Sequence, residues 1–194
     1  MKRVLRGLAL LAVVGTAGAS TAQAQGELMI GGGSSIPTGD FGEGFKNGPH
    51  GVLAFGFVVP RIPVGFRLQG MFHRISGEEV GTVEGPDLQV ISGTGDLVFK
   101  VNPSPDAKFR PYVFAGAGLY NTKLTGDEAP EGVSGETDFG YGGGVGLDIG
   151  SATGLGFFVE GRYHSIDTEG ESANVITASA GARIALGNAG GTGY

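Results

Sequence analysis

Three imidazoles, His50, His73 and His164, are the side chains in this sequence with the widest chemical repertoire. An imidazole can ligate a metal ion or gain a proton near neutral pH. His164 stands beside Ser165 and His73 three residues before Ser76, so a hydrolytic Ser–His pair is the first arrangement to test. Both pairs fail if these segments are strands, because residues an odd number apart point to opposite faces. No other Ser and His facing each other near one rim can be picked out. His50 and His73 come almost opposite each other in a hairpin centred near Arg61. That is half a metal site or a pH-sensitive gate; without a clear third ligand, polar packing at a rim is the better account. The glycine clusters GGGSS (31–35) and GGGVG (142–146) contain no complete G-x-G-x-x-G and no P-loop lysine. Tyr112 and Tyr120 offer faces to a sugar, but packing is again the simpler use. Cysteine is absent, which removes thiolate chemistry and any disulfide framework. No catalytic set, metal set or cofactor site is expected.

Strands are the elements that would position these side chains. Leu155 to Ser165 (LGFFVEGRYHS) divides with a period of two. Phe157, Val159, Gly161 and Tyr163 share one face; Phe158, Glu160, Arg162 and His164 share the other. A helix would scatter those charges around its circumference. Seven more segments divide in the same way, near 28–36, 50–59, 64–74, 88–101, 109–122, 137–149 and 173–186. The connections between them read as alternately long and short, and the long ones are acidic. This pattern describes an all-β fold: an eight-stranded antiparallel up-and-down transmembrane β-barrel. Closure also removes the edge strands that invite aggregation.

Composition agrees. Lys2, Arg3 and Arg6 precede a short apolar run, Leu8 to Val14, and Ala22-Gln23-Ala24 is a cleavage signature, so residues 1–24 read as a secretory signal peptide. Residues 25–187 are then the barrel, and 188–194 a Gly-rich tail. Without the signal, ten Lys and Arg face nineteen Asp and Glu, which argues against nucleic acid as a partner. No later apolar stretch is long enough for a spanning helix, so any span is made of strands. Glycine supplies 40 of the 194 residues, many of them inside alternating segments, as expected of a strongly curved sheet.

Periodicity gives two faces without saying which meets lipid. The polar parity carries Arg67, Lys100, Arg162 and Arg183 against Asp96, Asp138, Asp148 and Glu160, amid Gly, Ser, Thr and Ala. Balanced charges and small side chains suit a narrow lumen. The apolar parity carries aromatics near the strand ends and no charge in the strand middles, as two bilayer interfaces require. A cluster of Glu160 and Arg162 with Arg67, Asp96, Asp148 and Arg183 is therefore expected to plug the interior. These charges read as structural, and the acidic loops as a solvated rim whose partner the sequence does not name.

The segments SSIPTGDFGEGFKNGPHG, RPYVFAGAGLY, FGYGGGVGLDIG and GFFVEGRYHSID together resemble the small outer-membrane β-barrel domain family, of the OmpX and OmpA membrane-domain type. The resemblance covers nearly all of residues 26–186. It implies a Gram-negative-type outer membrane, contact with outer-membrane lipid, and folding by the barrel assembly machinery. Such barrels often end in Phe, whereas here the last strand ends at Leu186 ahead of the tail. The leading reading is a non-enzymatic barrel serving envelope integrity or surface interaction. Two rivals are a lipid A-modifying barrel enzyme, similar to the deacylase and palmitoyltransferase barrels, and a soluble lipocalin-like carrier of a hydrophobic ligand. The carrier reading lacks the tryptophan of the usual G-x-W signature. Fractionation separates them: the chain should run as a heat-modifiable band in the outer-membrane fraction, and a soluble monomer would favour the carrier.

Overall fold

The structure, a computed structural model, describes residues 25–39, 42, 45–58, 62–77, 87–104, 106–125, 135–168 and 172–186. The expected signal peptide and C-terminal tail lie outside the described residues, as does most of the long-loop sequence. Eight strands follow one another: β1 (Gln25–Thr38), β2 (Gly48–Val58), β3 (Val64–Ile75), β4 (Asp87–Lys100), β5 (Phe109–Thr125), β6 (Glu136–Gly150), β7 (Leu155–Asp167) and β8 (Ser172–Leu186). Each pairs antiparallel with its sequence neighbours, and β8 returns to β1, so the sheet closes into a barrel. Every strand backbone thereby finds partners on both sides, the condition for crossing hydrocarbon with sheet.

The apolar parity points outward. Ile30, Leu53, Ile91, Leu97, Val113, Leu119, Val145, Val159 and Ile176 are all exposed. Phe72, Phe139, Tyr141 and Tyr163 ring the long-loop end of this surface, and Phe57, Phe66, Phe99, Phe109 and Phe157 ring the short-turn end. Among the described residues, outward charges lie beyond these girdles, as in the exposed Arg74–Asp87 pair at 3.1 Å. A soluble carrier would need the reverse arrangement, with the oily side enclosing a cavity.

Connection lengths alternate less regularly than the sequence suggests. β7 and β8 run further than their alternation does, leaving only residues 168–171 between them, no longer than the 151–154 turn at the other end. Backbone pairing continues past the end of the clear alternation, so Ile166↔Ala173 and Asp167↔Ser172 still pair. Gly150 (φ 98°) and Gly154 (φ 105°) bracket the 151–154 turn in a backbone region that side chains disfavour.

Inward glycines on β6 have a different purpose. A Cβ on Gly140 would meet the Tyr120 ring, one on Gly144 the Phe114 ring, and one on Gly146 the Tyr112 ring. The three aromatic residues come from β5, and Phe114 and Tyr112 lie directly across the ladder from their glycines. These glycines are slots that let large rings lie flat against the wall of a narrow lumen. Gly146→Ala should therefore displace Tyr112 and destabilise the barrel by about 1–3 kcal/mol, the usual cost of overpacking. Gly161→Ala, on the outer face with no atom near its Cβ, should be close to neutral. Urea unfolding of the refolded barrel in detergent measures both.

Candidate functional site

The lumen is filled by stacked layers of side chains, taken here from the short-turn end upward. The lowest is a ring of alternating charge. Lys100 Nζ lies 3.3 Å from Glu27 Oε2 and 3.6 Å from Asp148 Oδ2. Arg183 lies 3.8 Å from Glu27 and 3.7 Å from Asp148. Four strands, β4, β1, β6 and β8, thus contribute two positive and two negative groups, all buried. Beneath the ring, the 151–154 turn folds its carbonyls inward. Arg183 donates to the Ser151 carbonyl, and Arg110 donates to the carbonyls of Ala107 (2.5 Å), Gly150 (2.9 Å) and Ser151 (3.3 Å).

A second neutral cluster sits above. Arg162 grips Asp96 with both Nη atoms, at 2.9 and 2.8 Å, and Arg67 reaches the same carboxylate at 3.2 Å. Arg67 also donates to Glu160, whose Oε1 accepts the Tyr112 hydroxyl at 2.8 Å. The guanidinium carbons of Arg67 and Arg162 lie 4.4 and 5.4 Å from the Phe114 ring centroid, so the aromatic face adds cation–π attraction. Bidentate pairing and ring contact offset part of the cost of taking these charges out of water.

Of the residues singled out from the sequence, Arg67, Asp96, Glu160 and Arg162 meet in this upper cluster, while Lys100, Asp148 and Arg183 meet in the lower one. Glu160 and Arg162 do not bond each other; each finds partners across the lumen. Asp138 is half-buried near the long-loop rim, and no ion pair involves it among the described residues. Glu27 and Arg110 complete the picture but were not among the expected network residues. Glu27 lies one residue before the marked start of the first alternating segment, and Arg110 was legible only as a polar-parity residue without a partner.

Above the ions lies a layer of uncharged polar groups holding all three histidines. His50 and His73 pair directly across β2 and β3, with ring centroids 5.4 Å apart. Ser35 Oγ of β1 sits 3.1 Å from His50 Nδ1 and 2.8 Å from His73 Nδ1, and Ser179 Oγ of β8 lies 2.8 Å from His50 Nε2. His164 joins at 6.0 Å from His73, hydrogen-bonded to Tyr120 OH (2.9 Å) and Thr177 Oγ1 (3.3 Å). Alternation along single strands offers no co-facing Ser and His; the barrel supplies them, because β1 lies between β2 and β8, so that Ser35 of β1 reaches His50 and His73 and Ser179 of β8 reaches His50 across β1. Ser35 and the three rings are enclosed, Ser35 completely, so this pair does not face the bilayer. No group of three or more ligand side chains could hold a metal among the described residues. Ile75, Leu88, Val90, Tyr120 and Ile166, with Phe45, Leu124 and Ala173 against them, form an apolar cap above.

A closed eight-stranded barrel, oily outside and ionic within, defines a small integral outer-membrane protein. Its sequence matches the outer membrane protein beta-barrel domain family over residues 7–185, and the chain belongs to that family. The outer membrane is its location, and lipid its surroundings. No curated protein matches the sequence. Among solved structures, Neisserial surface protein A is similar with a TM-score of 0.60 and 15% identity, covering 82% of this chain and 96% of that one. Ail of Yersinia pestis, solved in complex with the heparin analogue sucrose octasulfate, gives 0.53 and 19%, covering 84% and 99%. OprG of Pseudomonas aeruginosa gives 0.53 and 17%, covering 85% and 98%. At these identities the likeness is one of fold.

Asp96 holds two buried arginines at once. Asp96→Asn should cost about 3–5 kcal/mol, because it leaves buried charge uncompensated. Arg74→Ala, which breaks the exposed pair, should cost no more than about 1 kcal/mol. Urea unfolding midpoints of the two refolded variants check the contrast, and equal effects would show that the buried cluster has no special weight.

Proposed function

We propose that this barrel is a non-enzymatic envelope protein whose lumen is closed by ion pairs at neutral pH and whose work is done by its outer rim. The alternating ring of Lys100, Glu27, Arg183 and Asp148 carries the reading: with the Asp96 cluster above it, the interior is filled and charge-balanced rather than open. Removal of residues 1–24 and insertion by the barrel assembly machinery would precede this state.

The four connections at the long-loop end (39–47, 76–86, 126–135 and the short 168–171) hold ten Asp and Glu and a single Lys, Lys46. Their partners are accordingly cationic surfaces, attracted by long-range charge and weakened by salt. A sulfated polyanion such as the ligand seen on Ail is a poor match for such a rim. Among the described residues, the Ser–His contacts, of which Ser35–His73 is one, are what favours a lipid A-modifying enzyme. Their enclosure in the lumen, shielded from acyl chains at the outer wall, weighs against that use.

The refolded chain in a planar bilayer near neutral pH should show no steady conductance, and lipid A incubated with it should keep its mass. Porin-like current or a changed acyl count would overturn the reading. On intact cells, neutralising Glu78, Glu79, Glu84, Asp127, Glu128 and Glu131 to their amides should lower capture of a fluorescent polylysine peptide several-fold; unchanged capture would remove the rim from the proposal.

A further inference from the structure

We infer that the imidazole layer is a proton-operated closure, and that acid converts this barrel into a path for small monovalent anions. The inference rests on the closed-lumen reading and adds to it a condition under which the lumen opens.

The layer is built from neutral groups. Ser35 has one hydroxyl proton and two lone pairs, so at most one of the two Nδ1 atoms accepts from it and at least one of His50 and His73 carries an Nδ1 proton to donate. Ser179, Thr177 and Tyr120 complete the set, and no imidazole is paired to a carboxylate among the described residues. The charged groups facing this layer come from four strands. Arg67 (β3), Asp96 (β4), and Glu160 and Arg162 (β7) lie beneath it, already paired to one another. Asp138 (β6) is half-buried at the rim. β1, β2, β5 and β8 contribute Ser35, His50, Tyr120, Thr177 and Ser179. A proton added here has no counter-charge waiting, and neighbouring rings 5.4 and 6.0 Å apart would repel once charged.

Two further observations point to a path. A cavity of about 10 Å³, room for one water, lies between the apolar cap and the rings of His73, His164 and Tyr120. Below the rings, Gln69 Oε1, Ser92 Oγ and Thr94 Oγ1 line the inner β3–β4 wall, more than nine-tenths buried and without hydrogen-bond partners. These oxygens follow the ladder from His73 down to Arg67 and Asp96. Charging the imidazoles would draw water beneath the hydrophobic cap and wet the seam, as apolar constrictions gate by dewetting. With five inward acids (Glu27, Asp96, Asp138, Asp148 and Glu160) against five Lys and Arg (Arg67, Lys100, Arg110, Arg162 and Arg183), the described inward face is balanced, and each imidazolium tips it positive, which favours anions.

Opening that takes up protons is favoured as pH falls, with the open-to-closed ratio rising about tenfold per pH unit for each proton bound. The full chain in planar bilayers with a potassium chloride gradient should be silent near pH 7.5 and begin to conduct as the bath is acidified stepwise. Its reversal potential should lie toward that of chloride. The triple variant His50→Gln, His73→Gln, His164→Gln should migrate as a folded barrel and stay silent in acid. Should that variant not fold, imidazole ¹⁵N spectra of the parent decide, since ring protonation must coincide with the conductance. A folded triple variant that still opens, rings that titrate without current, a cation-selective current, or a silent parent in acid each overturns the inference alone. A parent already conducting near pH 7.5 sinks the closed-lumen reading and this one together.

Discussion

Hydrocarbon offers a backbone no hydrogen-bond partner, and that constraint organises this molecule. A sheet satisfies it only by closing on itself, as β8 does against β1. Once closed, each strand has one face in lipid and one in a lumen too narrow for bulk water. The period of two then becomes an assignment of solvent. Leu97 and Val98, neighbours in sequence, end in different media: one is among the most exposed residues of the barrel, the other is buried.

The inward face inherits a harder problem than the outward one. Eight charged groups from six of the strands stand in a space that cannot hydrate them freely. They arrange as two neutral clusters rather than one diffuse network, which keeps each charge within reach of an opposite one. Rings from β5 lie between and beside these clusters, seated on β6 glycines. The high glycine content is thus partly a packing requirement of the lumen and not only a source of curvature.

The layers have a vertical order. Ions fill the lumen near the short-turn end, uncharged imidazoles and hydroxyls come next, and apolar residues close the long-loop end. Such an order places the three imidazoles directly beneath the most water-averse part of the interior.

Strand number, strand order and the division into lipid-facing and lumen-facing residues were all legible in the sequence, because alternation is a local property written residue by residue. Ion-pair partners were only partly legible. That Asp96 and Arg162 are both internal follows from parity, yet that they meet each other follows from closure and from how neighbouring strands are staggered. Glu27 escaped notice because the alternation of β1 becomes clear only after it. Ser35 could not be joined to His73 from sequence, since 38 residues and one intervening strand separate them. Sequence by itself therefore determined which residues would be inside, through a pattern each strand carries alone. The tertiary structure decided which of them touch, because contacts across a closed lumen depend on the register of all eight strands at once.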